Sequence, residues 1–135
     1  MYSHIVVGTN NMTRAKSFYD KVMAELGNPE GVIDPQGRCF YISKTGTFGI
    51  TTPIDGAPAS HANGGTIGFQ AASNEAVDAW FKTGLEAGGT ECEDPPGIRT
   101  NMFGKLYVAY LRDPDGNKLC ALCPMKSPVK SPVKE

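Results

Sequence analysis

Apolar positions along this chain follow two different periods, and each period predicts a different element. Residues 4–9, "HIVVGT", form a short apolar run rich in β-branched side chains, which predicts a buried strand. Across residues 10–27 apolar side chains recur at every third or fourth position, which predicts a helix with one apolar stripe. Thr13 or an asparagine caps its start and Gly27 ends it. Residues 37–53 then predict a hairpin that turns at "KTG".

The same order of elements returns after an offset of 62 positions. The segment "HIVVGTNNMTRAKSFYDKVMAELG" aligns with "TIGFQAASNEAVDAWFKTGLEAGG". His4 falls on Thr66, one aromatic pair falls on another, and the stop glycine Gly27 falls on Gly89. This agreement of stripe, aromatic pair and stop signal predicts a duplicated structural module. The alternative is an unrelated α+β sandwich that contains two similar helices.

Further along, the two halves keep a common hairpin. The hairpin around Gly46 matches the one around Gly116 with an offset of 70, which places Ile50 opposite Cys120. Each half therefore predicts a strand, a helix and two or three more strands.

We expect a single α+β domain over residues 1–123, built from modules over about 1–54 and 65–123. Residues 53–65 are the linking loop, rich in Gly, Ala and Pro. Residues 124–135 end in "KSPVKSPVKE", where a repeated proline and the lack of an apolar period predict a mobile tail without an assigned role.

Charge and cysteine content narrow the classes of protein. Thirteen basic and fourteen acidic residues give a net charge of -1. This balance, without a basic stripe or basic amphipathic helix, argues against nucleic-acid and membrane partners. The apolar runs are strand-sized and no signal peptide is evident, so we expect a cytoplasmic protein. Its four cysteines are too sparse for a disulfide scaffold.

Several motifs in this order resemble the vicinal oxygen chelate superfamily, which includes glyoxalase I, extradiol dioxygenases and bleomycin resistance proteins. They are a histidine in the first strand, "MTRAKSFYDKVMAELG", "GGTIGF", "AWFKTGLEAGGT" and "YLRDPDGNKL", and they cover roughly residues 2–123. The resemblance implies two tandem βαβββ modules that form a curved-sheet cleft. It also implies a cleft that takes a small molecule, a frequent homodimer and, in many members, a divalent metal.

Metal-dependent members of this superfamily take one ligand from each of four strands. The resemblance carries those ligand positions onto His4, Thr66, Cys120 and, less directly, Ile50. Of these, His4 is a usual ligand and Cys120 can bind zinc as a thiolate, whereas threonine and isoleucine do not serve. We therefore expect a degenerate metal site and leave the cofactor open.

His4 is also the candidate catalytic residue, as an acid or base. The ordinary interpretation is a hydrogen-bonded strand histidine for His4 and a small buried side chain for Cys120. The "CALC" motif is not expected to be a redox pair, because residues three apart on a strand point to opposite faces.

The remaining binding candidates follow from strand alternation and from the loop over residues 95–105. Tyr107 and Tyr110 lie on opposite faces of the strand that follows this loop, so only one of them can face the cleft. The expected substrate-binding residues are Thr66, Gly68, Gln70, Arg99, Asn101, Tyr107, Tyr110, Cys120 and Leu122. Asp113 and Asp115 belong to a "DPDG" turn, which is turn chemistry rather than an acid/base pair.

The sequence favours a glyoxalase, bleomycin-resistance or dioxygenase-like protein of unassigned substrate. Three alternatives stay open: a metal-dependent lyase or dioxygenase that uses His4, a metal-independent drug- or toxin-binding resistance protein, and a metal-free enzyme with His4 as acid or base.

Overall fold

The structure is a computed structural model that describes residues 1–102 and 104–125. In chain order its elements are β1 (His4–Gly8), α1 (Met12–Glu25), β2 (Val32–Ile33), β3 (Cys39–Ile42), β4 (Thr47–Thr51), β5 (Ile67–Gln70), α2 (Asn74–Glu86), β6 (Thr90–Glu91), β7 (Gly97–Asn101), β8 (Gly104–Arg112) and β9 (Lys118–Pro124). The fold is α+β, and the predicted tandem modules are confirmed.

Each module forms its own mixed sheet with one helix. The first sheet has the order β1-β4-β3-β2, and the second has β5-β9-β8-β6 with β7 also paired to β8. In both sheets the first strand runs parallel to the last strand of its module and lies at the sheet edge. The segment over 95–105, predicted as a loop, therefore contains a strand.

The helices begin and end where local chemistry allows. The Asn11 side chain accepts a hydrogen bond from the Arg14 amide at 3.0 Å, and Ser73 accepts one from the Ala76 amide at 3.1 Å. After α1, Gly27 takes a φ of 85°, as predicted. After α2 this left-handed position belongs to Gly88, with a φ of 109°, and not to Gly89, because α2 is one residue shorter than α1.

The core lies between the helices and one face of the two sheets. The helical stripes contribute Phe18, Tyr19 and Trp80, each fully buried. Between the two modules, the ring of Phe48 on β4 and the ring of Phe69 on β5 stand edge to face with centroids 5.1 Å apart. No backbone pairing joins β1 to β5 within the part of the chain that the structure describes.

The turn between β8 and β9 fastens the second module to the first. Asn117 donates from its side-chain amide to the Gly8 carbonyl at 3.1 Å, and Thr9 donates its hydroxyl to Asp115 at 2.5 Å. Arg14 also binds Asp115, at 2.7 Å. The "DPDG" aspartates thus hold the modules together, in addition to shaping their own turn.

The end of β9 differs from the expected boundary. The strand includes Pro124, and the Met125 amide donates to the Lys105 carbonyl at 3.0 Å. Ordered pairing therefore extends to residues 124 and 125, which were predicted to begin the tail. The remainder of the predicted mobile tail, 126–135, lies outside the described residues.

Candidate functional site

A pocket of about 520 Å³ opens at the junction of the two modules. We call it the seam pocket, because β1 of the first sheet and β5 of the second form its sides. Its lining includes the large apolar side chains Ile5, Met23, Leu26, Phe48, Ile67 and Phe69. A pocket of this volume and character is suited to a small organic molecule.

Polar side chains surround the mouth of the seam pocket. They are Ser3, His4, Asn28, Ser43, Thr45 and Gln70. His4 is exposed, and its Nδ1 lies 2.7 Å from the Ser3 hydroxyl oxygen. The rim therefore offers hydroxyl, amide and imidazole groups, which can donate or accept hydrogen bonds.

Strand register determines which predicted residues share a face. Gly68 stands opposite Cys120, which stands opposite Tyr110, and Gln70 stands opposite Leu122. These five residues lie on one face of the second sheet, the face that α2 does not cover. We call it the open face. Of them, Gly68 and Gln70 line the seam pocket together with His4.

The other predicted binding residues are placed differently. Tyr107 lies on the helix-covered face, where its hydroxyl donates to Asp78 of α2 at 2.7 Å, so Tyr110 is the tyrosine of β8 that faces the open side. Arg99 donates to the carbonyls of Asp94 and Pro95 at 3.1 and 3.0 Å, which braces the loop before β7.

Two further candidates lie at the margins of the second sheet. Asn101 ends β7 opposite Gly104, and Thr66 is exposed just before β5. Neither belongs to the lining of the seam pocket.

The equivalence between Ile50 and Cys120 is wrong by one residue. In the first module Val6 pairs with Gly49, and in the second Gly68 pairs with Cys120, so the counterpart of Cys120 is Gly49. The cause is the length of the turn that precedes each last strand. In the first module the Ser43 amide donates to the Gly46 carbonyl, whereas in the second the Asp113 amide donates to the Asn117 carbonyl, one residue further along. Because side chains alternate, that one residue moves Ile50 to the helix-covered face, where it is 1% exposed.

Comparison with known proteins identifies the chain. The profile of the Glyoxalase/Bleomycin resistance protein/Dioxygenase superfamily matches residues 2–121. The chain belongs to this superfamily. A comparison with curated proteins found no match.

Solved structures agree with the family assignment. A glyoxalase/bleomycin resistance protein from Albidiferax ferrireducens T118 is 55% identical, with a TM-score of 0.89, over 92% of this chain and 99% of that chain. A glyoxalase-related enzyme from Fulvimarina pelagi is 15% identical with a TM-score of 0.70, over 92% of this chain and 88% of its own. Lactoylglutathione lyase from Agrobacterium tumefaciens is 21% identical with a TM-score of 0.60, over 91% and 92%. The last two establish a common fold.

The metal that the superfamily commonly holds does not fit the donors present here. His4 lines the seam pocket, whereas Thr66 and Cys120 do not, and the fourth position is glycine. At Gly49 a Cβ atom would stand 2.7 Å from the ring of Phe40, so that ring fills the space. No cluster of three or more His, Cys, Asp or Glu side chains suited to a metal ion occurs among the described residues. A protein site for a catalytic metal ordinarily needs three donors.

The chemistry of Cys120 points the same way. Its side chain is buried beside Gly68, where a Cβ atom would lie 3.1 Å from Sγ. Burial raises the pKa of the Cys120 thiol to about 11, as expected for a small side chain packed in the protein interior. Its partner in "CALC", Cys123, lies on the opposite face, since it pairs with Tyr107 rather than Tyr110.

The sequence did not reveal the wall of the seam pocket. Met23 and Leu26 belong to the apolar stripe of α1, and Phe48 and Phe69 are apolar residues of strands, so the sequence pattern does not distinguish them from ordinary core residues. An apolar stripe has the same period whether it packs against a neighbour or lines a cavity. Only the relative placement of the two modules distinguishes these cases.

Proposed function

We propose that this protein binds a small organic molecule in the seam pocket, without the help of a metal ion. The observation that carries the proposal is the seam pocket itself, an open pocket of about 520 Å³ whose lining combines apolar side chains with hydrogen-bonding groups. The incomplete donor set supports the metal-independent form of the proposal. Membership of a superfamily that includes small-molecule-binding resistance proteins supports the ligand class.

Metal independence is tested by elemental analysis of purified, untagged protein before and after incubation with zinc, nickel, iron(II) and manganese. We expect retained metal far below one ion per chain after desalting, and no change on His4→Ala or Cys120→Ala. Stoichiometric metal that either substitution abolishes would contradict the proposal and favour the lyase or dioxygenase alternative.

Binding is tested by a thermal-shift screen of small aromatic compounds, followed by calorimetry of the hits in the presence of a chelator. Ala72 lines the mouth and is exposed, so Ala72→Phe narrows the entrance without disturbing the core. Ala57→Phe, in the exposed linking loop, is the matched control. We expect hits with about one site per chain that Ala72→Phe weakens at least tenfold and Ala57→Phe does not, since each tenfold step is about 1.4 kcal/mol.

A second candidate is a metal-free enzyme that uses His4. Its support is the position of His4 at the rim, with a ring nitrogen 2.7 Å from the Ser3 hydroxyl, where an imidazole can accept or donate a proton. Turnover of a bound compound that His4→Ala abolishes while binding persists would establish this role. His61→Ala is the control, because His61 packs beside Gly116, away from the seam pocket.

We further propose a homodimer in a cytoplasmic setting. Supporting the dimer, Val32 and Ile42 are each 60% exposed and Val6 is 41% exposed, and all three lie on the face of the first sheet opposite α1. Light scattering after size-exclusion chromatography tests it, with Val32→Lys and Ile42→Lys expected to shift the mass towards the monomer. On location, the described chain contains no helix long and apolar enough to cross a membrane.

A further inference from the structure

The seam pocket lacks formal charge in its lining. Among the described residues that line it, none is Asp, Glu, Lys or Arg, although these types make up 20% of the chain. The titratable lining groups are His4 and two tyrosines, Tyr2 and Tyr41. Tyr41 carries no negative charge at neutral pH, because burial and a hydrogen bond to Asp20 raise the pKa of its hydroxyl far above 10.0.

The duplicated architecture explains this lack of charge. In the second module the turn before β9 carries Asp113 and Asp115, and the first module engages both of them. The corresponding turn before β4 carries Ser43 and Thr45, which are neutral and line the seam pocket instead of filling it. The turn before β9 thus contacts the first module through carboxylates. The turn before β4 leaves the pocket open and presents neutral side chains to it.

An uncharged lining disfavours a charged ligand group. A carboxylate, phosphate or ammonium group that enters this pocket loses part of its hydration shell and meets no Asp, Glu, Lys or Arg in the lining. Hydroxyl, amide and carbonyl groups lose less, because Ser43, Thr45 and Gln70 at the rim can replace their hydrogen bonds to water. The nearest cation along the chain is Lys44, an exposed residue at the turn that is not part of the lining.

We propose that the seam pocket selects uncharged molecules that carry an aromatic or other apolar body and a hydrogen-bonding group at one end. This inference rests on the proposed function and specifies its ligand class. It predicts discrimination against anionic conjugates and cationic drugs of the same size. The aromatic side chains Phe48 and Phe69 in the wall supply ring faces and edges for the apolar body.

Two fluorescent dyes with one ring system provide the test. N-phenyl-1-naphthylamine is uncharged, and 8-anilinonaphthalene-1-sulfonate carries the same anilinonaphthalene body with a negative charge. Both are titrated into the full-length protein, into Ala72→Phe and into Ala57→Phe. We expect the uncharged dye to bind at least about tenfold more tightly than the sulfonate, with a signal that Ala72→Phe reduces and Ala57→Phe preserves.

A positive charge placed at the rim should reduce the preference for the uncharged dye. Gln70 is exposed and lines the pocket, so Gln70→Lys adds a cation without altering the core. We expect this substitution to tighten sulfonate binding several-fold, so that the ratio of the sulfonate's dissociation constant to that of the uncharged dye falls. Gln36→Lys, in the exposed turn before β3, adds the same charge away from the pocket and should not change the dissociation constant of either dye.

The outcomes separate the two proposals. If the sulfonate binds as tightly as the uncharged dye, and Ala72→Phe weakens both, the pocket binds small molecules but the inferred selectivity is wrong. If neither dye responds to Ala72→Phe, the proposed function itself is contradicted, and the selectivity with it.

Discussion

The hydroxyl of Tyr19 donates a hydrogen bond to the carboxylate of Asp113 at 2.5 Å, across 94 positions of the chain. Tyr19 lies on α1 of the first module, Asp113 begins the turn of the second, and both are buried. Asn117 also donates to Asp113, at 2.8 Å, so the carboxylate collects donors from both modules. This buried pair is a stability element of the junction, and it lies apart from the seam pocket.

Tyr19→Phe should lower the free energy of unfolding by about 1.5–3 kcal/mol, because it removes a buried hydrogen bond to a charged group. Urea denaturation followed by circular dichroism measures the change. Tyr107→Phe is the matched control: its hydroxyl also donates to an aspartate, Asp78, but at an exposed site, so we expect a change below about 0.5 kcal/mol. Equal effects of the two substitutions would contradict the role assigned to the buried pair.

Asp20 should make the protein less stable in acid. Burial alone would raise the pKa of Asp20, but hydrogen bonds from Lys16, the Gly31 amide and Tyr41 outweigh it and hold the pKa below the ordinary 3.8. The stabilisation is therefore complete above pH 3.8 and is lost as the pH falls from there through the folded-state pKa.

The measurement compares urea midpoints of the parent and Asp20→Asn from pH 7 down to about pH 3. We expect the variant to be less stable at pH 7 and the difference to shrink as the pH falls below 3.8. Asp55→Asn, in the exposed linking loop, controls for the loss of one negative charge. A difference that stays constant across the range would show that Asp20 acts by packing alone.

Gly49 should tolerate even a methyl group poorly. The Cβ of an alanine would stand 2.7 Å from the Phe40 ring and 3.2 Å from a methyl carbon of Val6. We expect Gly49→Ala to cost about 1–3 kcal/mol, and the cost to be largely relieved in the double variant with Phe40→Ala. Gly46→Ala, where the nearest atom is 3.7 Å away, is the control. Additive single effects in the double-mutant cycle would argue against the clash.

The four cysteines should differ in reactivity. Cys39 and Cys120 are buried, whereas Cys92 and Cys123 are half-buried. Burial raises the pKa of the Cys39, Cys92 and Cys120 thiols. With iodoacetamide near pH 8, peptide mass spectrometry should find Cys120 labelled at least about tenfold more slowly in the native protein than in urea. Native labelling of Cys120 as fast as in urea would show that it is an accessible, reactive thiol.

Much of the fold could be predicted because the local sequence pattern identifies each helix and strand. The apolar stripe that includes Phe18 and Tyr19 has the period of a helix. The β-branched run after His4 is typical of a strand. The duplication followed from the same stripes. The one-residue error at Ile50 arose because the way a turn closes depends on backbone hydrogen bonds, which the apolar pattern does not encode.

The site was harder to predict for a different reason. Alternation correctly indicated that Gly68, Gln70 and Cys120 share one face, because that follows from strand geometry alone. The seam pocket depends on how the second sheet is placed against the first, which is a tertiary relationship. Its position therefore could not be inferred from spacing within either module.

The extra residue at Asn117 makes the two junctions between the modules unequal. The longer turn of the second module places Asp113, Asp115 and Asn117 in hydrogen bonds with the first module. The shorter turn of the first module, with Ser43 and Thr45, borders the seam pocket instead. One junction therefore joins the two halves, and the other leaves open space between them.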